Sequence, residues 1–475
     1  MTELNRALAF SFTGKYITML VQFVSVMVIS RLLVPTDIGI YSIAAGAIAI
    51  GQVLRDFGLS LYLVHEKDLT VDKIRTCFTI SLLICWTIAT VYWLSSAPLA
   101  LFFERQEIAS VIQVLSLSFL IIPFGTFNLS LIKRDMRFDR IMWIDLASAF
   151  TSVTVTIGLA LMEYGVMAMA YGSIAGTLTT VVATFFFSKL RYYRICFNKV
   201  KEIARFTSFV SFSNIFTQLN ELIPEAAIGK QQSMADTAFF SKANATINLF
   251  SMLVTSVVAP VIQPFMAKLN RDEKDLAKHV YSLIDYILVL LWPFSVILIL
   301  MPEQILVTLY GDQWTASAPV LQIFATILFI DGFIIMAEQL LNSIGAVKFV
   351  FKSTALIVVL RIVATLAFVQ FGIIAVAWSF LGVSLIRLAV VWPAFKRYFG
   401  LDTTQLLALY TKNLGITLPL LAVGWLILQT QVSGFAPLIQ LVVIGLAMLV
   451  LWIILLYSLK HPLATKLPVL KSFMS

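Results

Sequence analysis

Residues 214–225 read NIFTQLNELIPE, inside an apolar run that continues on both sides. Asn214, Gln218, Glu221 and Glu225 recur at steps of 4, 3 and 4. At about 100° per residue they fall within roughly 60° of one another on a helix, so two acids and two amides share one stripe. Pro224 interrupts the same turn and predicts a kink. In lipid, each acid costs about 2.5–3.5 kcal/mol at the membrane centre unless it faces protein or water. The stripe must therefore turn inward. Either it lines a wet cavity for a polar, sugar-bearing cargo, or it is a buried polar seam between helices. Two acids without a neighbouring base make poor glue, which favours the cavity.

The rest of the chain sets this helix in a membrane. Of 475 residues 60% are hydrophobic and 12% charged, with mean hydropathy +0.94. Soluble domains carry about 25% charged residues. Apolar runs occur near 12–32, 38–62, 76–96, 108–132, 142–162, 165–188, 207–229, 235–260, 281–301, 315–342, 350–370, 373–393, 410–429 and 435–458. Each is of helix length for a bilayer, not of barrel-strand length. The expected fold is an all-α polytopic membrane protein with about 14 transmembrane helices.

Charge placement gives the orientation. Of the 34 Lys and Arg, Arg31, Arg105, Lys230 and Lys242 fall on one side. Arg55, Arg361 and Arg387 fall within spans, and all the others share the opposite side. The positive-inside rule then puts both termini in the cytoplasm. The net charge of +9 reports topology and not nucleic acid. A basic linker, Lys189 to Arg205, follows the sixth span, and its Arg191, Tyr192, Tyr193 and Arg194 suit the anionic inner leaflet.

A shift of 199 residues lays Arg31–Asp37 on Lys230–Asp236, and Tyr41-Ser42 on Phe240-Ser241. Six spans precede the linker and six follow it. Six is even, so the repeat is parallel, about an axis along the membrane normal. The expected organisation is an N-lobe over 1–203, a C-lobe over 204–400, and two further helices with a tail over 401–475.

Further polar groups fall on helix faces. Ser241, Asn244, Asn248, Ser251 and Thr255 lie within about 80° of one another on span eight. Under the shift, Asp56 falls on the matching face of span two, beside Arg55. That pair is either cavity lining or an ion pair at the helix end. Lys15, Thr18 and Gln22 share a face of span one. Asp331, Glu338 and Asn342 share one on span ten, with Arg361 on span eleven. Asp145 and Asp285 sit near cytoplasmic helix ends, where headgroups or basic loops satisfy them. The candidate substrate-binding set is Gln22, Arg55, Asp56, Asn214, Gln218, Glu221, Glu225, Asn244, Asn248, Asp331, Glu338 and Arg361. Amides and hydroxyls suit a hydroxyl-dense cargo, and buried Arg suits phosphate.

Chemistry classes fall away. Cys77, Cys85 and Cys196 have neither metal nor redox spacing. His65, His279 and His461 lie in loops or the tail. No nucleophile motif, phosphate loop or nucleotide signature appears. No loop expected on the outer side exceeds roughly 15 residues, too few to fold as an enzymatic domain. No metal, cofactor or catalytic activity is expected.

The segment Ser30-Arg31-Leu32-Leu33-Val34-Pro35-Thr36-Asp37-Ile38-Gly39-Ile40-Tyr41 resembles the loop between helices one and two of the polysaccharide-transporter lipid flippases of the MOP (multidrug/oligosaccharidyl-lipid/polysaccharide) exporter superfamily. Arg55-Asp56-Phe57-Gly58-Leu59 resembles the end of their second helix. Lys133-Arg134-Asp135-Met136-Arg137-Phe138 is similar to the loop after helix four in the colanic-acid-exporter-like branch. Tyr310-Gly311-Asp312-Gln313-Trp314, with Ala318-Pro319, resembles the approach to helix ten. The resemblance implies two six-helix lobes around a cavity open alternately to the two sides. It implies an undecaprenyl-pyrophosphate-linked oligosaccharide as cargo in the bacterial cytoplasmic membrane. Membrane lipids and the polymerase and chain-length machinery would be its partners. An ion-coupled drug exporter of the same superfamily usually has an acid in helix one, which this chain lacks. A membrane polymerase or ligase needs a larger outer loop.

Overall fold

The computed structural model describes residues 3–56, 58–187, 193–201, 203, 212–271, 276–334, 336–430 and 434–466. Every regular element among the described residues is a helix. The chain divides into two compact units, Met1–Ala238 and Phe239–Ser475.

The first unit holds α1 (Glu3–Leu32), α2 (Pro35–Asp56), α3 (Leu59–His65), α4 (Val71–Phe103), α5 (Gln106–Ile121), α6 (Pro123–Arg134), α7 (Phe138–Leu161), α8 (Val166–Phe185) and α9 (Phe212–Gln231). Helix α10 (Met234–Arg271) crosses the division. The second unit continues with α11 (Leu276–Leu300), α12 (Pro302–Tyr310), a 3-10 turn (Asp312–Ser317), α13 (Ala318–Ile334), α14 (Ala337–Ser343) and α15 (Val347–Phe368). It ends with α16 (Ile373–Phe399), α17 (Thr403–Leu428), α18 (Pro437–Ser458) and the short α19 (Pro462–Lys466).

Among the described residues 11 helical runs are long and apolar enough to cross a membrane, or up to 12 if the bent pair α5–α6 is one span. That pair turns through 52°. Pro123 causes the bend, because its ring cannot continue the helix of α5. Helices α9 and α10 lie over the apolar runs near 207–229 and 235–260.

Local sequence explains the junctions. Pro35 opens α2 with its torsion already set, and Asp37 in the first turn complements the helix dipole. Gly39 is where α2 meets the start of α10: a Cβ there would lie 1.8 Å from the Met234 carbonyl oxygen. Helices α7 and α8 pack through Gly172 and Gly176, spaced as in small-xxx-small membrane pairs. A Cβ on Gly172 would stand 1.8 Å from Thr156 Oγ1. Arg134 donates to the carbonyls of Leu63 (2.9 Å) and Val64 (3.3 Å), closing the end of α3. Lys230, at the end of α9, donates to Glu104 after α4 at 2.8 Å, and this hydrogen bond holds the Glu104 carboxyl below its ordinary range.

In the linker, the Tyr193 ring sits 5.1 Å from Phe127 and 5.5 Å from Phe78. Its hydroxyl donates to the Phe124 carbonyl (3.0 Å) and accepts from Asn128 (2.6 Å). A phenol can bury its ring once its oxygen is bonded, and α6 supplies both partners. Arg191 and Tyr192 lie outside the described residues.

In the second unit Ile284, Leu288 and Trp292 of α11 pack against Phe333 and Phe395. Val289 and Val296, also of α11, pack against Ile416, Leu420, Ile444 and Met448. Helices α17 and α18 thus share a core with α11. A polar node pins them there. Asp285, 5% exposed, accepts from Lys412 Nζ and Asn413 Nδ2, each at 2.8 Å. His461 Nε2 lies 3.0 Å from the same carboxylate. His461, assigned to the tail by its position in sequence, is fully buried. Its Nδ1 accepts the Leu463 N–H at 3.2 Å.

Candidate functional site

Within the first unit a cleft of about 710 Å³ opens among α1, α2, α7 and α8. Helix α1 contributes Thr18, Gln22 and Ser25, and α2 contributes Tyr41. Helix α7 contributes Asp145, Ser148, Ser152 and Thr156, at steps of 3, 4 and 4 that keep one face. Helix α8 contributes Ser173, Thr177 and Thr180. Val26, Ile29, Val153 and Met169 fill between them. Hydroxyls and one amide dominate this lining, and among the described lining residues Asp145 supplies the formal charge.

Close packing directs the hydroxyls. The glycines of α8 bring its backbone against α7, so Ser148 donates across to the Gly176 carbonyl at 2.8 Å. Thr156 donates to the Ser152 carbonyl (2.8 Å), Thr177 to Ser173 (3.1 Å) and Thr180 to Gly176 (3.2 Å). Tyr41 is hydrogen-bonded to Ser173. Thr18 Oγ1 is buried with no hydrogen-bond partner among the described residues.

Of the candidate residues read from sequence, Gln22 lines this cleft. The others are distributed over several places. Glu225 accepts from the Ser42 hydroxyl, which puts it on the α2–α9 contact. Glu221 is exposed and Gln218 half-buried, while the side chain of Asn214 lies outside the described residues. Arg55 and Asp56 pair with each other at 2.8 Å at the end of α2. In the second unit Asn244 is half-buried and Asn248 exposed on α10. Asp331 accepts from Ser384 of α16. Glu338 accepts from Thr354 at 3.1 Å and lies 3.4 Å from Arg387. Both acids thus reach α16, Asp331 at Ser384 and Glu338 at Arg387. The Arg361 guanidinium lies 4.6 Å from the centre of the Phe380 ring.

Sequence reasoning did not assign Asp145 or the α7 and α8 hydroxyls to the site. The signal was present in the i, i+4 spacing of Ser148, Ser152 and Thr156. Serine and threonine are common between packed membrane helices, so that spacing alone does not separate lining from seam.

Long apolar helices around a polar cleft define a multi-pass membrane protein. The chain belongs to the polysaccharide biosynthesis protein family, whose model matches residues 28–319. It is 20% identical over 307 residues to the lipopolysaccharide biosynthesis protein WzxC of Escherichia coli (strain K12), covering 64% of this chain and 62% of that protein. It is 22% identical over 322 residues to the succinoglycan biosynthesis transport protein ExoT of Rhizobium meliloti (strain 1021), covering 68% and 65%. The chain thus spans under two thirds of the length of these relatives. The lipid II flippase MurJ, in an inward closed conformation, has the same fold. The TM-score is 0.78 at 16% identity, over 96% of this chain and 100% of that one.

Proposed function

We propose that this chain flips undecaprenyl-pyrophosphate-linked oligosaccharide repeat units across the bacterial cytoplasmic membrane. Both termini face the cytoplasm in this reading. The units feed exopolysaccharide, capsule or O-antigen synthesis, and the polymerase and chain-length machinery act on them afterwards. The observation that carries this is the hydroxyl-lined cleft of about 710 Å³ among apolar helices. A lipid-facing bundle has no use for such a surface unless something polar enters it. The size suits a sugar-scale ligand. Membership in a polysaccharide family and the names of the relatives support the same cargo.

In this reading the sugars travel past the α1, α7 and α8 hydroxyls while the lipid tail stays in the bilayer. The lobes run 1–203 and 204–400, with 401–475 attached to the second. Gln22 is a direct sugar contact. Glu221, Glu225, Asp331 and Glu338 supply acidic groups to the transport path. Arg55 and Arg361 supply cations for pyrophosphate, for which Arg has the matching bidentate geometry.

The test is complementation of a deletion strain. Glu221→Gln with Glu225→Gln should abolish polysaccharide export while the protein still inserts. Gln22→Ala should let lipid-linked units accumulate on the cytoplasmic face. Normal export and normal intermediate levels in both variants would remove the proposal.

A further inference from the structure

We infer that the cleft among α1, α7 and α8 selects its cargo by charge, admitting neutral or ammonium-bearing sugars and rejecting anionic ones. This rests on the transport reading above and names the class of sugar that the same site takes.

The argument begins with protons. A hydroxyl has one proton to donate and two lone pairs to accept with. Ser148, Thr156, Thr177 and Thr180 have already given theirs to backbone carbonyls of α7 and α8. What these four side chains still offer to the cleft is acceptor oxygen. Asp145 adds a carboxylate, which also only accepts when ionised. No Lys or Arg stands among the described lining residues. Donors come from Gln22, and from hydroxyls such as Thr18 whose oxygen lacks a partner among the described residues.

A ligand matched to this surface must bring more donors than it needs. Sugar hydroxyls do so, and a protonated amino sugar does so with a charge that Asp145 complements. A uronate or a phosphate brings only acceptor oxygens on its charged group. It would meet lone pairs and a like charge, with no Lys or Arg among the described lining residues to offset them. The pyrophosphate of a lipid-linked cargo must therefore sit outside this cleft while its sugars sit inside.

Three tetrasaccharide probes of similar length test the inference on the full chain in lipid nanodiscs, by titration calorimetry. They are cellotetraose (neutral), the glucosamine tetramer (cationic) and tetragalacturonate (anionic). The expected order puts tetragalacturonate about tenfold or more weaker than cellotetraose, with the glucosamine tetramer tightest. Asp145→Asn should weaken the glucosamine tetramer about tenfold and strengthen tetragalacturonate, each relative to cellotetraose. Asp145→Glu should keep the wild-type order, which guards against a folding defect in the neutral variant. Ser152→Ala should weaken every probe without changing their order.

Tetragalacturonate binding as tightly as cellotetraose would overturn the inference. So would an order unmoved by Asp145→Asn, or no binding of any probe. Export in the deletion strain is scored alongside. The expected order in a chain that exports no polysaccharide would sink the flippase reading alone. An inverted order in an exporting chain would sink charge selection alone.

Discussion

Asp285 shows what a buried charge needs in a membrane bundle. Its two oxygens collect Lys412, Asn413 and His461 from α17 and the segment after α18. Removing the carboxylate leaves Lys412 beside a void, while Asn413 keeps only its bond to the Leu409 carbonyl. Asp285→Ala should destabilise the protein by about 3–5 kcal/mol, measured as thermal unfolding in detergent. Asp285→Leu with Lys412→Met should recover much of that loss, since replacing a buried pair by apolar groups is often neutral. An equal loss in both variants would refute the ion pair as the cause. Lys242 uses a different solution. It is 7% exposed, with its ammonium 4.6 Å from the Tyr310 ring centre and 4.7 Å from that of Trp314. The Tyr310–Trp314 motif that carries part of the family resemblance is thus a cage for a cation. Sequence could show that motif but not its occupant, because Lys242 is more than sixty positions away along the chain.

At the scale of elements, the α7–α8 pair decides whether the cleft keeps its form. Gly172 and Gly176 let the backbones approach, and that approach turns Ser148 toward the Gly176 carbonyl. Gly172→Val would force a side chain into Thr156 Oγ1 and the Ser152 carbonyl, 1.8 and 2.9 Å from its Cβ. The cost should be about 1–3 kcal/mol of overpacking, with export lost although the protein inserts. Full export from that variant would show that the spacing of the pair is not critical. Helix positions were readable from the length of apolar runs alone, and α1, α7, α8, α11 and α15 to α18 lie on expected spans. Two features were not. Pro123 was visible, but whether a proline in lipid bends a helix or ends it depends on its neighbours. The face shared by Asp331 and Glu338 was visible too, but not that Ser384 and Arg387 of α16 are what it meets. A wheel shows which residues share a face and not which helix that face meets. That Gln22 and Asp145 line one cleft is therefore not readable from either helix alone.

For the whole molecule, orientation is the property that sequence argues best and geometry alone cannot give. Basic residues crowd one side of the spans, and the Lys230–Glu104 clasp sits on the other. In a chain with Cys77, Cys85 and Cys196 replaced, a single cysteine at Glu104 should react with an impermeant thiol reagent added to intact cells. A single cysteine at Lys199 should react only after the membrane is opened. The reverse pattern would invert the proposed topology and, with it, the direction of transport.

The threonines of α7 and α8 have one more consequence, for engineering. Their protons are committed to backbone carbonyls that the helix already satisfies, so a valine of the same shape at Thr156, Thr177 or Thr180 deletes an acceptor and little else. Sugar preference could thus be edited one oxygen at a time, in a scaffold whose helix packing stays as it is.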